Sequence, residues 1–238
     1  MDGASVQVSF FDSAAAVHKT DLARVRAADL VAGRPWRVFR WHRGQAHYSG
    51  WYWSATMGRH VVYESRLELA RLMLADFDPR VASIAAQPFH IAGPSQGRTR
   101  RHVPDFLVVD RDGVVSVVNV KPAARMRDPK VAAALSWAGS VFAERGWRHE
   151  IWSGAPANML ANVRFLAAYR HGGRVDADVV AGVQAAVTGP VSIHELEAAW
   201  PQGSGEVRPA VLHLIWRGVL VADLSAPLSG SSVVERVA

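Results

Sequence analysis

The spacing of apolar residues divides the chain into helical and strand-like stretches. Over residues 63–76, apolar side chains such as Leu67 and Leu74 recur at steps of three and four, which predicts a helix that ends before an Asp-Pro pair. On such a helix Glu64 and Glu68 lie one turn apart on the same face. The helix therefore presents two candidate carboxylates together.

Strand-like segments follow this helix. Residues 81–87 and 89–91 predict a strand that is kinked at a proline, and residues 93–97 predict a glycine-rich loop. Two further strands are predicted over residues 102–109 and 114–121. The short turn between these last two strands makes them a hairpin.

The turn of this hairpin fixes which residues face each other. Gly113 stands at the last position of a three-residue loop, where a left-handed backbone is needed, so Asp110 pairs with the valine that follows the glycine. The same antiparallel register puts Asp105 opposite Asn119, with Lys121 two positions further on the same face. Three polar groups are thus predicted to converge on one patch of the sheet.

The segment after the hairpin alternates helix and strand. Residues 130–145 and 156–169 have helical patterns, and residues 149–152 form a short strand between them. The order is helix, three strands, helix, strand, helix. This order predicts an α/β fold, a mixed sheet flanked by helices with the hairpin near its centre.

A change of composition at residues 170–178 predicts a domain boundary. Beyond it, Ser192 and Glu195 have capping-box spacing and start a helix that ends at 201–205. A second helix closes near Gly218 and two strand-like segments follow. This second helix starts at Arg208, and the two strand-like segments span residues 219–224 and 232–237. This order is typical of a winged-helix domain, which binds DNA or docks to proteins; both alternatives remain open.

The first sixty residues interleave aromatic and basic side chains without a clean period. They include Arg34, Trp36, Arg37, Arg40, Trp41, His42, Arg43 and His47. Two interpretations stand: an arm that grips a nucleic-acid backbone, or short strands that pack their tryptophans on the core. The predicted organisation is an arm with strands over 1–60, a catalytic domain over 61–172 and a C-terminal domain over 178–238.

Composition narrows the class of protein. Of 238 residues half are hydrophobic, which predicts a folded chain, and neither a membrane-spanning run nor a secretory signal is evident, so we expect a cytoplasmic protein. Cysteine is absent, so a metal must bind to oxygen or imidazole, and the ten histidines show no paired zinc-ligand spacing. The net charge of +6 favours an anionic partner such as double-stranded DNA.

Four residues together have the layout of a metal-dependent phosphodiesterase: Glu68, Asp105, Asn119 and Lys121. Carboxylate, amide and main-chain carbonyl oxygens suit Mg²⁺ or Mn²⁺. The expected metal ligands are the side chains of Glu68, Asp105 and Asn119 and the main chain of Val120. A bound metal would lower the pKa of a coordinated water, while Lys121 orients that water or stabilises charge on the phosphate.

Other residues near these positions have weaker assignments. Glu64 is either a solvated partner for Arg66 or Arg71 or a second metal or water ligand. Gln87 either lies near the site or has a structural role. A basic run comes immediately before the Asp105 strand, so DNA phosphates that approach the metal would meet positive charge there. This run consists of Arg98, Arg100, Arg101 and His102.

Five sequence blocks carry a resemblance to a known family. They are Gly58-Arg59, Ser65-Arg66-Leu67-Glu68-Leu69-Ala70, Gln87-Pro88-Phe89, Asp105-Phe106-Leu107-Val108 and Val120-Lys121-Pro122-Ala123-Ala124. In this order they resemble TnsA, the endonuclease subunit of heteromeric, Tn7-type transposases. The resemblance implies a restriction-endonuclease-like fold of the PD-(D/E)XK type, with Glu68, Asp105 and Lys121 at the catalytic positions.

The resemblance also implies an activity and partners. Family members cut the 5′ strands at the ends of a mobile element, beside a DDE-type transposase subunit and an ATPase regulator. The sequence departs from the superfamily pattern at Asn119, where a carboxylate or glutamine is usual, and an amide brings no charge to a metal. A non-catalytic DNA-binding or assembly protein and a defence or repair nuclease of the same fold are the alternatives.

Overall fold

A computed structural model describes residues 5–37, 48–200 and 206–237. The chain divides into two compact units, Met1–Ala75 with Arg80–Gly154, and Asp76–Pro79 with Ala155–Ala238. Within the described ranges, no helix combines the length and apolarity that a bilayer crossing requires. The predicted arm residues 40–43 and 47, and the predicted helix end at 201–205, lie outside the described residues.

The described residues form thirteen strands and seven α-helices. The strands are β1 (Gln7–Phe11), β2 (Val17–Asp21), β3 (Gly50–Ser54), β4 (Arg59–Tyr63), β5 (Val81–Ala86), β6 (His90–Ser95), β7 (Arg98–His102), β8 (Phe106–Asp110), β9 (Val115–Val120), β10 (Arg148–Trp152), β11 (Val191–Ser192), β12 (Leu220–Ala222) and β13 (Val233–Arg236). The α-helices are α1 (Ala27–Ala32), α2 (Arg66–Phe77), α3 (Pro129–Glu144), α4 (Ala157–Leu166), α5 (Ala177–Ala186), α6 (Ile193–Ala198) and α7 (Val207–Trp216).

Two four-stranded sheets dominate the first unit. One has the order β2-β1-β6-β7 and the other the order β10-β9-β8-β5, in which β9 and β10 are parallel and the other pairs antiparallel. Side chains from both sheets and from α3, including Phe10, Ile91, Leu107 and Phe142, form one buried core. The mixed α/β architecture predicted from the element order is confirmed, with the β8–β9 hairpin at the centre of its sheet.

The predicted hairpin register is also confirmed. The backbone N–H of Asp110 donates to the carbonyl of Val114 at 3.1 Å, and Gly113 has a φ of 81°. Phe106 pairs with Val118. A side chain at position 113 would have to adopt the left-handed backbone that glycine takes without strain.

Several predicted element bounds were wrong. The kinked strand over 81–91 is two strands, β5 and β6, in different sheets, and the predicted glycine-rich loop is largely the end of β6 and its turn to β7. The strand predicted over 102–109 was also wrong at its start, because Arg98–His102, which holds the basic run, is the edge strand β7 of the other sheet and β8 begins at Phe106. Helix α2 begins at Arg66, so Glu64 precedes the helix instead of sharing its face.

The second unit contains helices and a small three-stranded sheet with the order β11-β13-β12. Helix α6 begins with the predicted capping box: Oγ of Ser192 accepts from the Glu195 N–H, and the Glu195 carboxylate accepts from the Ser192 N–H. The structure divides the chain at Gly154, earlier than the boundary drawn from composition, and places α4 in the second unit. The strands β1 to β4 of the predicted arm belong to the first unit.

Candidate active site

Asp105 lies just before β8, at the point where this strand meets the end of β9. Its backbone N–H donates to the Val118 carbonyl at 3.1 Å, which continues the hairpin ladder by one step. The Oδ2 atom accepts from the Val120 N–H at 2.7 Å and from Lys121 Nζ at 3.0 Å. All hydrogen bonds from described residues to this carboxylate converge on Oδ2, which leaves Oδ1 for another ligand.

Lys121 follows directly on the end of β9. Its Nζ also donates to the Val120 carbonyl at 2.9 Å, so two oxygens hold the ammonium group beside Asp105. The side chains of Lys121 and Asp105 are 33% and 16% exposed, so this ion pair is partly shielded yet accessible. The Lys121 N–H donates to the Trp152 carbonyl at 2.9 Å, which fixes the backbone from β10.

Glu68 lies in the first turn of α2 and is buried. Its Oε2 accepts from the Glu64 N–H at 2.8 Å, its Oε1 accepts from Ser65 Oγ at 3.2 Å, and Ser65 Oγ accepts from the Glu68 N–H at 3.0 Å. This reciprocal arrangement closely resembles a capping box. The Ser-x-x-Glu spacing is visible in the sequence and indicates this structural role, which the sequence analysis did not consider.

The pKa of Glu68 is raised from 4.5 to about 7, chiefly by burial and in part by the neighbouring charge of Asp105. The Glu64 charge acts in the same direction, while the hydrogen bonds from Glu64 and Ser65 lower it. The ionised Glu68 is therefore costly in the absence of a compensating cation.

The donor set near Asp105 fits a hard divalent cation. Two carboxylates that repel one another, Glu68 and Asp105, are ligands of the kind that Mg²⁺ and Mn²⁺ prefer, and a cation between them would relieve the charge that raises the pKa of Glu68. The Val120 carbonyl is a further oxygen at this point, with its second lone pair available beside Lys121 Nζ. Among the described residues, no group of three or more histidine, aspartate or glutamate side chains is arranged to hold a metal ion.

Asn119 is fully buried, and its amide has contacts that the sequence did not reveal. Oδ1 lies 3.0 Å from Nε2 of His102 on β7 and 3.0 Å from Nε2 of His149 on β10. Nδ2 faces the Asp105 carboxylate at 3.5 Å. The structure thus brings Asn119 to Asp105 through its nitrogen, while the oxygen predicted as a metal ligand accepts from two imidazoles.

Both imidazoles are neutral at neutral pH. Burial lowers the pKa of His102 and of His149, and for His102 the hydrogen bond with Asn119 acts against this. Since Oδ1 can only accept, each neutral ring carries its proton on Nε2. Sequence reasoning missed His149 and assigned His102 to DNA, because both contacts join strands distant in sequence. The inward and outward alternation along β7 is the signal that separates His102 from Arg101.

Gln87 connects β5 to the site. Its N–H donates to the Asp105 carbonyl at 2.8 Å, and its backbone has a φ of 45°, which is unusual for a residue with a side chain. Its Oε1 is buried and accepts no hydrogen bond from the described residues. Gln87 therefore lies beside Asp105 as predicted, in a strained and unsatisfied conformation.

Glu64 is half-buried, and its backbone, not its carboxylate, contacts Glu68. Arg71, one of the arginines considered as its partner, forms two hydrogen bonds with Glu150 at 3.0 and 2.7 Å. Arg71 is therefore engaged by Glu150, and both interpretations of Glu64 stay predictions. This Arg71–Glu150 pair joins α2 to β10 within the first unit.

A family model of the TnsA-like endonuclease N-terminal domain matches residues 78–154. The match includes Asp105, Asn119 and Lys121, and Glu68 precedes it. It ends at the residue where the structure divides the two units. The search of curated proteins found no match to the chain.

Proposed function

Because residues 78–154 belong to the TnsA-like endonuclease family, we propose that the chain is a DNA endonuclease that depends on Mg²⁺ or Mn²⁺. The observation that carries this proposal is the contact between Lys121 and Asp105. Nζ of Lys121 lies 3.0 Å from Oδ2, while the Val120 N–H holds the same oxygen at 2.7 Å. An acid and an ammonium group are thus fixed together at a partly exposed point of the sheet.

Glu68 and Asp105 would hold the cation, with the Val120 carbonyl as a further ligand. When bound, the metal supplies an activated water and neutralises charge on the phosphate. The two carboxylates keep their positions through backbone hydrogen bonds from Glu64 and Val120. This leaves few side-chain rotations to be fixed when DNA arrives.

Lys121 has the charge and the access to act on the substrate. Its ammonium group carries three protons, of which two point to Asp105 Oδ2 and the Val120 carbonyl. The third proton can donate to a phosphate oxygen and stabilise the negative charge that develops there. Hydrolysis would leave 3′-hydroxyl and 5′-phosphate ends.

The biological reaction we propose is the cutting of the 5′ strands at the ends of a mobile element. The family match supports DNA as substrate and a DDE-type transposase subunit and an ATPase regulator as partners. For the second unit we propose a winged-helix role in docking or DNA contact, supported by its β11-β13-β12 sheet beside short helices. Restriction-endonuclease-like, PD-(D/E)XK classification of the first unit is part of the same proposal.

A second candidate function is a DNA-binding assembly protein without cutting activity. The contact of Asn119 Oδ1 with two imidazoles favours it, because this oxygen is engaged away from the proposed metal. The two functions differ in one measurable property, which is metal-dependent nicking.

Nicking of supercoiled DNA with Mg²⁺ or Mn²⁺ tests the proposal, with partner proteins added in a parallel reaction. Asp105→Asn and Lys121→Met should each abolish nicking, while the matched exposed variants Asp112→Asn and Lys130→Met should nick like the original chain. Nicking that persists in both site variants would remove the assignment. DNA binding without nicking in the presence of the partners would favour the assembly protein.

A further inference from the structure

The outer face of the β2-β1-β6-β7 sheet carries positive charge that the site does not use. Strand register places Lys19 beside Ser9 and Ser9 beside His90, in one row across the sheet. In the neighbouring row Gln7 lies beside Ala92, which lies beside Arg101. Paired residues share a face of the sheet.

This face points away from the core. The alternate residues Val8, Phe10 and Ile91 are buried and belong to the core cluster, so their strand neighbours face outward. An open groove lies along this outward face and around the start of β7, where Arg98 also lines it although its position in the strand is on the other face from Arg101. Its lining residues are Ser5, Gln7, Ser9, Lys19, His90, Ala92, Gly93, Pro94, Gly97, Arg98, Thr99 and Arg101.

The groove is cationic. Lys19, Arg98 and Arg101 are exposed, and none of them forms an ion pair with a residue in the described ranges. Among its lining residues no side chain is acidic. One carboxylate, Asp21, stands beside Gln7 at the end of a row, where its hydrogen bonds run to Ser5 and the Ala23 N–H.

The cations of the groove act on the His90 ring. Burial lowers its pKa, and the charges of Arg101, Arg37 and Lys19 lower it further, so three cations from different elements act on one ring. Trp36 stacks on this ring, with the two ring centres 5.6 Å apart. The neutral His90 ring thus lies among positive charges, and none of the described residues that line the groove is acidic.

We propose that this groove binds the phosphate backbone of duplex DNA beside the cleavage position, an inference that rests on the proposed nuclease function. The sheet row from β2 to β7 spans three interstrand spacings, or about 14 Å. Duplex DNA carries about eight phosphate charges over this length. Several phosphates can therefore meet Lys19, Arg98 and Arg101 at once.

The groove is also near the site along the chain. Arg101 precedes Asp105 by four residues, so their Cα atoms are at most about 14 Å apart. On the same strand His102 turns inward to Asn119 while Arg101 lines the groove. A duplex that contacts Arg101 is thus within reach of the Asp105–Lys121 pair.

Anisotropy of a labelled DNA duplex in EDTA measures this binding in the full chain without cleavage. The groove variant combines Lys19→Gln, Arg98→Gln and Arg101→Gln, and the control variant combines Arg26→Gln, Lys130→Gln and Arg148→Gln, which are exposed residues of the same unit. Both lose three positive charges. We expect the groove variant to bind at least about tenfold more weakly, with a salt slope reduced by about three, and the control to change less than about twofold.

Equal weakening of DNA binding in both variants would overturn the groove, since it would reflect net charge alone. Tighter binding of duplex RNA than of duplex DNA of the same length would overturn it as well. A chain that binds no duplex at all would overturn the groove, while the nuclease proposal fails only if nicking is also absent in the presence of the partners. If the groove variant loses binding while the original chain never nicks DNA with its partners, the groove stands and the nuclease proposal fails.

Discussion

His149 holds the Asn119 side chain from the neighbouring parallel strand, with its Nε2 atom 3.0 Å from Oδ1 of Asn119. His102 approaches the same oxygen from the other sheet. One buried amide therefore connects the two four-stranded sheets of the first unit and presents its nitrogen to Asp105. This relationship gives Asn119 a positioning role that can be tested separately from metal binding.

Asn119→Leu should destabilise the protein by about 2–4 kcal/mol, because it leaves two buried imidazole donors without an acceptor. Denaturant unfolding at pH 7.5 measures the change. Asn119→Asp keeps an oxygen for both rings but sets a second buried carboxylate against Asp105, so a loss with a different cause is expected. A leucine variant as stable as the original chain would show that the two imidazole contacts contribute nothing.

Glu68→Gln should raise the Tm at pH 8.5 in EDTA and have little effect at pH 5. The folded pKa of about 7 lies above the ordinary value of 4.5, so the folded state binds a proton more tightly. Stability from this residue is complete below pH 4.5 and is lost as the pH rises through 7, and the full loss is about 3 kcal/mol. Glutamine keeps the capping geometry without the charge.

The matched control for this pH series is the exposed Glu144→Gln, which should show no such pH-dependent difference. Adding Mg²⁺ at pH 8.5 should stabilise the original chain more than Glu68→Gln, because the ion compensates the buried charge. A Glu68→Gln variant that is no more stable at pH 8.5 would contradict the raised pKa.

Lys121→Met and Asp105→Asn should differ in metal binding although both lose nicking. Lysine is not a metal ligand, so Lys121→Met should keep the Mn²⁺-dependent rise in Tm while its nicking rate falls at least about a hundredfold. Asp105→Asn should lose both. Loss of the Mn²⁺ response in Lys121→Met would show that the ammonium group has a structural role in the site.

Gln87→Met should stabilise the chain by about 1 kcal/mol, because it removes a buried oxygen that has no partner among the described residues and keeps the side-chain volume. If the oxygen serves the reaction, the nicking rate should fall as the stability rises, as is common for strained residues in active sites. Thermal unfolding and nicking rates on the same preparation measure both. Lower stability would show that Oε1 has a structural partner.

Local signals predicted much of this site. Gly113 determined the turn, the turn determined the register, and the register placed Asp105 opposite Asn119 and brought Lys121 beside it. The division of β5 and β6 into different sheets was not predictable in this way, since an apolar run does not say which sheet a strand joins. For the same reason the two histidines on Asn119, one from each sheet, could not be predicted from spacing.

The hydrogen bond from the Val120 N–H to Asp105 comes from the main chain, so it does not depend on which side chain position 120 carries. Any apolar residue that fills the same interior volume would leave the acid correctly aimed, whereas proline, which has no N–H, would release it. We therefore expect related proteins to carry several different residues at position 120, nearly all of them apolar. Apart from proline, a substitution at position 120 therefore leaves in place the N–H that holds the Asp105 carboxylate.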